Sequence, residues 1–345
     1  MKAAIFSGPG KIEVREVPDP AIQNADDAIV RITHACICGS DLWPYRGLTK
    51  RDAESRIGHE FMGIVEEAGD GVKNVKVGDL VVAPFVISDG TCPECRLGMT
   101  TRCRNMQSWG AKGNDGGQGE KIRVPLANGT LFAIPKNQVT EQMMPALLPL
   151  SDVLCTGHHA AVSAGVRQGS TVAVIGDGAV GLCAVAASKR LGASRIFHIS
   201  THKDRAAIGR KFGATDTVAA RGEEAAKQIK DATDNLGVDC ALECVGTAES
   251  WNTAFSAVRA GGNIGAVGLP VQVPDIPVAK IFWPNIGVKG SAAPAASYIP
   301  VLLSDVLSGK LDVSDIFTKT IPLSDVAQGY KDMDERREIK VLIKM

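Results

Sequence analysis

Cys38-Gly39-Ser40-Asp41 and Gly58-His59-Glu60 bring a thiol, a hydroxyl, an imidazole and two carboxylates into two short segments. A thiolate and a neutral imidazole completed by a carboxylate form the donor set of a catalytic Zn²⁺. Such a site keeps its fourth position open for water or substrate. Cys38 and His59 are the first two candidate ligands, and Asp152, in Ser151-Asp152 far downstream, is the third. Glu60 stands either behind these ligands or as one that exchanges onto the metal. Taken singly, a Cys is most often a small buried hydrophobe, and a His is most often a hydrogen-bonded core or surface residue. The metal reading draws its weight from the two motifs together and from a glycine-rich turn downstream of Asp152.

That turn is Gly176-Asp177-Gly178-Ala179-Val180-Gly181, placed between an apolar run, Thr171–Ile175, and a helical stretch, Ala179–Leu191. In a strand–turn–helix setting the first glycine permits the tight turn. The second lets the backbone approach a pyrophosphate, and the third lets helix pack on strand. The helix N-terminus offers free N–H groups and a positive dipole end to phosphate. Gly176, Gly178 and Gly181 are therefore candidate dinucleotide-binding residues. An NAD site usually carries an acid about 20 residues further on, to hold the ribose 2′-hydroxyl. Ser200 occupies that place, followed by Thr201, His202, Lys203, Asp204 and Arg205. Hydroxyl and basic groups there favour NADP(H) over NAD(H). Asp204 counts against this, but it is expected at the start of the next helix.

The elements that must position these residues fall into two styles. The first part of the chain is rich in short β-like runs, Ala28–Ile32, Gly63–Glu67, Asp79–Ala83 and Lys121–Val124, separated by turn chemistry such as Val77-Gly78-Asp79. From about Ser170 strands and helices alternate. Strands are expected at 171–175, 195–199, 215–219, 239–245 and 263–268, and helices at 179–191, 203–212, 223–235 and 248–258. Such alternation predicts an α/β fold with a parallel, doubly wound Rossmann sheet. Helices at 297–309 and 325–332 and a strand at 340–343 return to the first domain. The expected organisation is 1–153 and 292–345 around an inserted nucleotide-binding domain, 154–291.

The 345 residues are long for one core, and 45% are apolar. Lys+Arg and Asp+Glu are equal at 38 each, which favours neither nucleic acid nor an acidic membrane surface. The apolar stretch from Gly178 to Ser188 is too short to span a bilayer. The start lacks the apolar region and cleavage site of a signal peptide. Nine cysteines, an odd number, do not suggest a disulfide framework. Cys92-x2-Cys95 reads as a metal site in a reducing, cytoplasmic setting.

The chain resembles the zinc-containing medium-chain alcohol dehydrogenases, and the bacterial secondary-alcohol branch in particular. The resemblance runs over essentially the whole length and rests on Cys38-Gly39-Ser40-Asp41, Gly58-His59-Glu60-x2-Gly63-x5-Gly69, Val77-Gly78-Asp79, Gly176-x-Gly178-x2-Gly181 and Val267-Gly268. It implies a GroES-like catalytic domain beside the Rossmann domain. It also implies that Asp152, a few residues ahead of Thr156-Gly157, is the third zinc ligand, with Cys155 outside the site. Ser40 would contact the substrate oxygen and start the proton relay. Trp43 stands where many relatives carry a relay His. Phe85, and on weaker grounds Trp109, would line the substrate pocket, and backbone around Val267, Gly268 and Leu269 would hold the nicotinamide carboxamide. Asp89, Cys92, Cys95 and Cys103 fit the spacing of a structural four-ligand zinc site, with Asp replacing the first Cys. His158-His159 is expected on a helix position facing solvent and the domain hinge; if the pair instead reaches the pocket, it weakens the case for apolar substrates.

The implied reaction is the reversible oxidation of a secondary alcohol, or of an alcohol to an aldehyde, with NADP(H). The partner is thus a small-molecule alcohol or ketone, and a homo-oligomer, tetramer or dimer, is expected by resemblance only. An NAD-dependent polyol or diol dehydrogenase is the alternative enzyme. A nucleotide-binding protein without turnover should have lost a zinc ligand or Ser40, and it has lost neither.

Overall fold

The computed structural model describes residues 1–345 apart from 112, 272, 274 and 276. The chain passes twice through one unit, Met1–Asp152 and Pro294–Met345, and once through the other, Val153–Ala293. The expected changeovers lay after residues 153 and 291.

In the first unit the strand Ala28–Cys36 is the spine. It pairs antiparallel with Phe61–Ala68, Lys121–Val124 and Lys340–Lys344. The sheet runs in the order Phe132–Ile134, Leu80–Ala83, Phe61–Ala68, Ala28–Cys36, Lys340–Lys344, Phe317–Pro322, with Lys121–Val124 off this path. Expected to stop at Ile32, the spine continues because its backbone goes on pairing through His34 and Ala35 with Met62 and Phe61. The polar Thr33-His34 pair hid this in the apolar pattern, yet His34 is buried. The extension delivers Cys38 two residues beyond the sheet. The core beneath holds Phe61, Ile122, Tyr330 and Val341. Its polar members are satisfied: the Tyr330 hydroxyl donates to Gln118 Oε1 at 3.0 Å, and Gln118 Nε2 donates to the Cys36 carbonyl at 3.1 Å.

The second unit is a six-stranded parallel sheet ordered Asp216–Val218, Arg195–Ile199, Thr171–Ile175, Val238–Glu243, Val258–Ala266, Gly287–Gly290. In chain order this is 3-2-1-4-5-6, the doubly wound dinucleotide order, in which the order of the parallel strands reverses between the first and fourth strands. The helices Ala179–Arg190, Lys203–Phe212, Gly222–Asp231 and Ala248–Ala257 connect its strands. The third ends short of the expected Asn235 because Asp234 and Asn235 lie in the left-handed region, φ 51° and 62°. Cys155, His158 and His159 all lie on the helix Val153–Ser163. That helix packs on Ala179–Arg190 and on Val258–Ala266. Covered on both sides, it buries His158 and His159, so the expected solvent-facing position for this pair is wrong.

Burial first, and then the charge of Lys289, push His159 down to about 4 from its ordinary 6.5. Between those values the unfolded chain takes up a proton that the folded chain refuses. The stabilising contribution is therefore complete above about pH 6.5 and is lost as pH falls toward 4, up to about 3 kcal/mol. In denaturant melts at pH 7 and pH 5, the stability lead of wild type over His159→Asn should shrink at the lower pH. An equal lead at both would show that His159 is not held neutral.

Candidate active site and metal centres

Gly58 precedes His59 with φ +97°, a left-handed conformation, and a Cβ there would lie 2.5 Å from the Gln118 side chain. Only glycine suits that turn, and the turn aims His59 at Cys38. Cys38 caps the short 3-10 turn Gly39–Asp41. Asp41, at its end, accepts from the Cys38 N–H at 3.2 Å and places Oδ1 3.3 Å from His59 Nδ1. A carboxylate on Nδ1 leaves Nε2 as the free donor, the usual way a metal-binding imidazole is oriented. Nε2 is 3.4 Å from Asp152 Oδ2, which is itself 3.6 Å from Cys38 Sγ. Asp152 is held in place through its neighbour: the Phe85 N–H donates to the Ser151 carbonyl at 2.9 Å.

Cys38, His59, Glu60 and Asp152 each offer one ligand atom, all within 4.8 Å of one another. Burial first, and then the charges of Glu60 and Asp152, push the Cys38 thiol up to about 11. Burial opposes protonation of His59, but Asp41 and Cys38 outweigh it and hold the imidazole well above its ordinary value. The Glu60 Oε2 atom is buried without a hydrogen-bond partner. Acid-forming groups crowded together around an orphaned carboxylate oxygen make a site that a dication satisfies. One soft sulfur, one imidazole nitrogen and carboxylate oxygen match Zn²⁺.

Glu60 is tied from behind. Its Oε1 lies 2.6 Å from Lys340 Nζ, which also donates to the Ile37 carbonyl at 3.2 Å. Burial alone would lower the Lys340 ammonium. Cys36 and Glu60 outweigh it and hold the amine well above its ordinary value.

Asp89, Cys92, Cys95 and Cys103 form a second cluster within the same 4.8 Å limit. Asp89 accepts from the Thr91 and Cys92 N–H groups at 2.7 and 2.9 Å and from Asn105 at 2.9 Å. Two further N–H groups, of Asp89 and Asn105, point at Cys103 Sγ at 3.3 Å. The loop is thus folded around its own sulfurs in the manner of a closed structural site.

In the other unit Gly181 packs so closely on the turn that a Cβ would lie 2.0 Å from the Gly176 carbonyl, whereas one on Gly178 would meet nothing within 4 Å. The open side at Gly178 is where a phosphate can approach the helix N-terminus. Asp177, between them, is turned toward the end of the next strand. Ser200 Oγ donates to its Oδ2 at 2.9 Å, His202 Nδ1 lies 2.8 Å from the same oxygen, and Arg205 Nη1 lies 3.4 Å from Oδ1. Thr201 accepts from Arg221 at 3.1 Å. Lys203 and Asp204 open the helix and are exposed. The Val267 and Gly268 N–H groups both donate to the Glu243 carbonyl, at 2.9 and 3.1 Å.

Residues 24–136 match the alcohol dehydrogenase GroES-like domain and 179–308 the zinc-binding dehydrogenase domain. A probable zinc-binding alcohol dehydrogenase of Mycobacterium tuberculosis is 38% identical over 332 residues, 96% of this chain and 84% of that protein. The chain belongs to the zinc-dependent medium-chain alcohol dehydrogenases. The alcohol dehydrogenase of Thermus sp. ATN1 superposes with a TM-score of 0.93 at 34% identity, covering 100% of this chain and 99% of that one. A zinc-binding dehydrogenase from Sinorhizobium meliloti, bound to NADP, gives 0.82 at 26% identity, covering 100% and 99%.

Around this dehydrogenase's first candidate metal cluster, Ser40 Oγ lies 3.2 Å from Cys38 Sγ and 3.4 Å from His59 Nε2. The Phe85 ring meets His59 edge-on, with centroids 6.5 Å apart. Trp43 is half-buried on the one-turn helix Leu42–Tyr45, with the Arg46 guanidinium 5.8 Å from its ring centroid. Trp109 departs from its expected place in the pocket wall. It is a core residue, packed edge-to-face on Phe61 at 5.0 Å, with its N–H donating to the Pro84 carbonyl. Cys155 belongs to neither metal cluster. Asp41, Lys340 and Asp177 were not assigned roles from sequence. Only Asp41 had a local signal, an acid three residues after a ligand cysteine.

Purified from zinc-containing medium, the protein should hold two equivalents of zinc by elemental analysis, one per cluster. Asp152→Ala should lose the catalytic equivalent and Cys95→Ser the other, each without loss of fold by circular dichroism. Unchanged zinc in Asp152→Ala would remove Asp152 from the ligand set. Lys340→Met should destabilise by about 3–5 kcal/mol, because it strands a buried carboxylate, and adding Glu60→Gln should restore most of that. Denaturant unfolding measures both, and a single variant no less stable than the double would sink the pairing argument.

Proposed function

We propose that this dehydrogenase interconverts secondary alcohols and ketones, and alcohols and aldehydes, with a nicotinamide dinucleotide as hydride partner. The observation that carries this is Ser40, whose hydroxyl reaches both Cys38 Sγ and His59 Nε2 at the metal-ligand cluster. Cys38, His59 and Asp152 would hold a Zn²⁺, which would supply Lewis-acid polarisation of the substrate oxygen. The nicotinamide supplies the hydride chemistry, and the protein orients it. Ser40 Oγ accepts the alcohol proton during oxidation and returns one during reduction. It is itself only half-buried, so it exchanges that proton with water directly. Trp43, where relatives carry a histidine, offers no imidazole for the next step. Phe85 and Trp43 support apolar substrates over polyols.

In the linear sequence the hydroxyl and basic groups of Ser200, Thr201, His202, Lys203 and Arg205 favour NADP(H), and one relative was solved with NADP bound; in the fold Ser200, His202 and Arg205 are engaged by Asp177. A second reading, a diol or polyol dehydrogenase using NAD(H), is favoured in its cofactor by the Asp177 carboxylate among those groups. The rest of the proposal is a homo-oligomer in a reducing, cytoplasmic compartment. Family resemblance supports the first, and nine cysteines without a disulfide support the second.

A panel of aliphatic secondary alcohols and polyols, each run with both cofactors, tests the substrate class. Turnover should favour the secondary alcohols and vanish on chelation. Ser40→Ala should lower kcat about 100-fold with little change in KM. Turnover confined to polyols would overturn the substrate class, and undiminished kcat in Ser40→Ala would overturn the proton role.

A further inference from the structure

Asp177 is the second residue of the glycine turn, on the loop after Thr171–Ile175. Its carboxylate does not face open solvent. It holds Ser200, His202 and Arg205, three of the groups that follow the neighbouring strand Arg195–Ile199. Ser200 and Arg205 are themselves buried. Burial alone would raise the Asp177 carboxyl, but the His202 and Ser200 hydrogen bonds and the Arg205 charge outweigh it and keep it below the usual range.

In the usual dinucleotide site an acid at the end of the second strand accepts hydrogen bonds from the adenosine ribose. Here that strand end carries Ser200, and the Asp177 carboxylate lies 2.9 Å from the Ser200 hydroxyl. An acid has therefore reached the same place from the adjacent turn. We propose that Asp177 replaces the missing acid and makes this chain select NAD(H) over NADP(H). The proposal rests on the reading of this chain as a nicotinamide-dinucleotide enzyme. A ribose 2′-hydroxyl can donate to the carboxylate, a charge-assisted bond stronger than a neutral one. A 2′-phosphate carries roughly two negative charges at neutral pH and would meet a carboxylate that already shares the Arg205 guanidinium. To use Ser200, His202 and Arg205, the phosphate would have to evict Asp177 and strip its partly enclosed carboxylate of three partners at once, which is costly. The donors that suggest a phosphate site in the linear sequence are, in the fold, the partners that fix an acid.

The test is isothermal titration of the zinc-loaded full chain with two adenosine probes, 5′-AMP and adenosine 2′,5′-bisphosphate. Wild type should bind 5′-AMP more tightly by about ten-fold or more, the size of one hydrogen bond to a charged group. Asp177→Asn, nearly isosteric, should narrow that ratio, and Asp177→Ala should narrow or invert it by freeing Ser200, His202 and Arg205. Melting curves would show that both variants are folded. Tighter binding of the bisphosphate by wild type, or a ratio unchanged in both variants, would overturn the proposal while leaving the dinucleotide reading intact. Failure of wild type to bind either probe would overturn both.

Discussion

The catalytic half of this protein depends on one buried ion pair. Glu60 and Lys340 meet at 2.6 Å with essentially no solvent on either side chain. Neither charge could be buried alone, since the loss of hydration would cost several kcal/mol. Glu60 follows the imidazole ligand directly, and Lys340 opens the last strand, 280 residues later. Because Lys340 also holds the Ile37 carbonyl, one ammonium group joins both metal-ligand segments from behind. The ligand segments are therefore braced by the far end of the chain, which returns to this unit after residues 153–293.

Around the pair, the residue set makes the local electrostatics unfavourable. Cys38, Asp41, Glu60 and Asp152 are all acid-forming groups in one buried cluster, and burial first of all holds the Cys38 thiol above its ordinary range. Lys340 is one fixed cation and His59 a second at a further cost in desolvation. A well-folded core avoids such conflict, and local violations of the packing rules tend to mark function. The second cluster is resolved differently. Its backbone N–H groups already point at Asp89 and Cys103, so the loop holds its shape through ordinary hydrogen bonds.

Cys38 and His59 stood out in the chain because their chemical types are rare together and their flanking glycines, Gly39 and Gly58, are specific, whereas Asp152 was placed beside them by its position ahead of Thr156-Gly157, as the family resemblance implies. The alternating pattern after Ser170 announced the parallel sheet because β-like runs such as Thr171–Ile175 recur between helical stretches of about ten residues. What stayed hidden depends on partners distant in sequence. Nothing local says that Lys340 rather than a neighbouring lysine is buried. Asp177 was passed over because the search for a ribose-binding acid runs along the chain, whereas the fold reaches across from the adjacent turn. Trp109 looked like a pocket aromatic, but its N–H finds the Pro84 carbonyl 25 residues away, which lets the whole indole enter the core. The length of the Ala28–Cys36 strand was concealed by two polar residues whose backbone pairs regardless of side-chain character.

Trp43 is the feature with the widest reach. An indole has no proton to trade near neutral pH, so on the proposed mechanism the Ser40 hydroxyl would be the last link of its own circuit, open to bulk water. Relatives with a histidine at that position can meter the proton through a titrating gate. On the proposed mechanism this chain would exchange the gate for a wall, giving up a tuning dial on rate for a filter on shape. Evolution at this position would then trade kinetic control against selectivity, one side chain at a time.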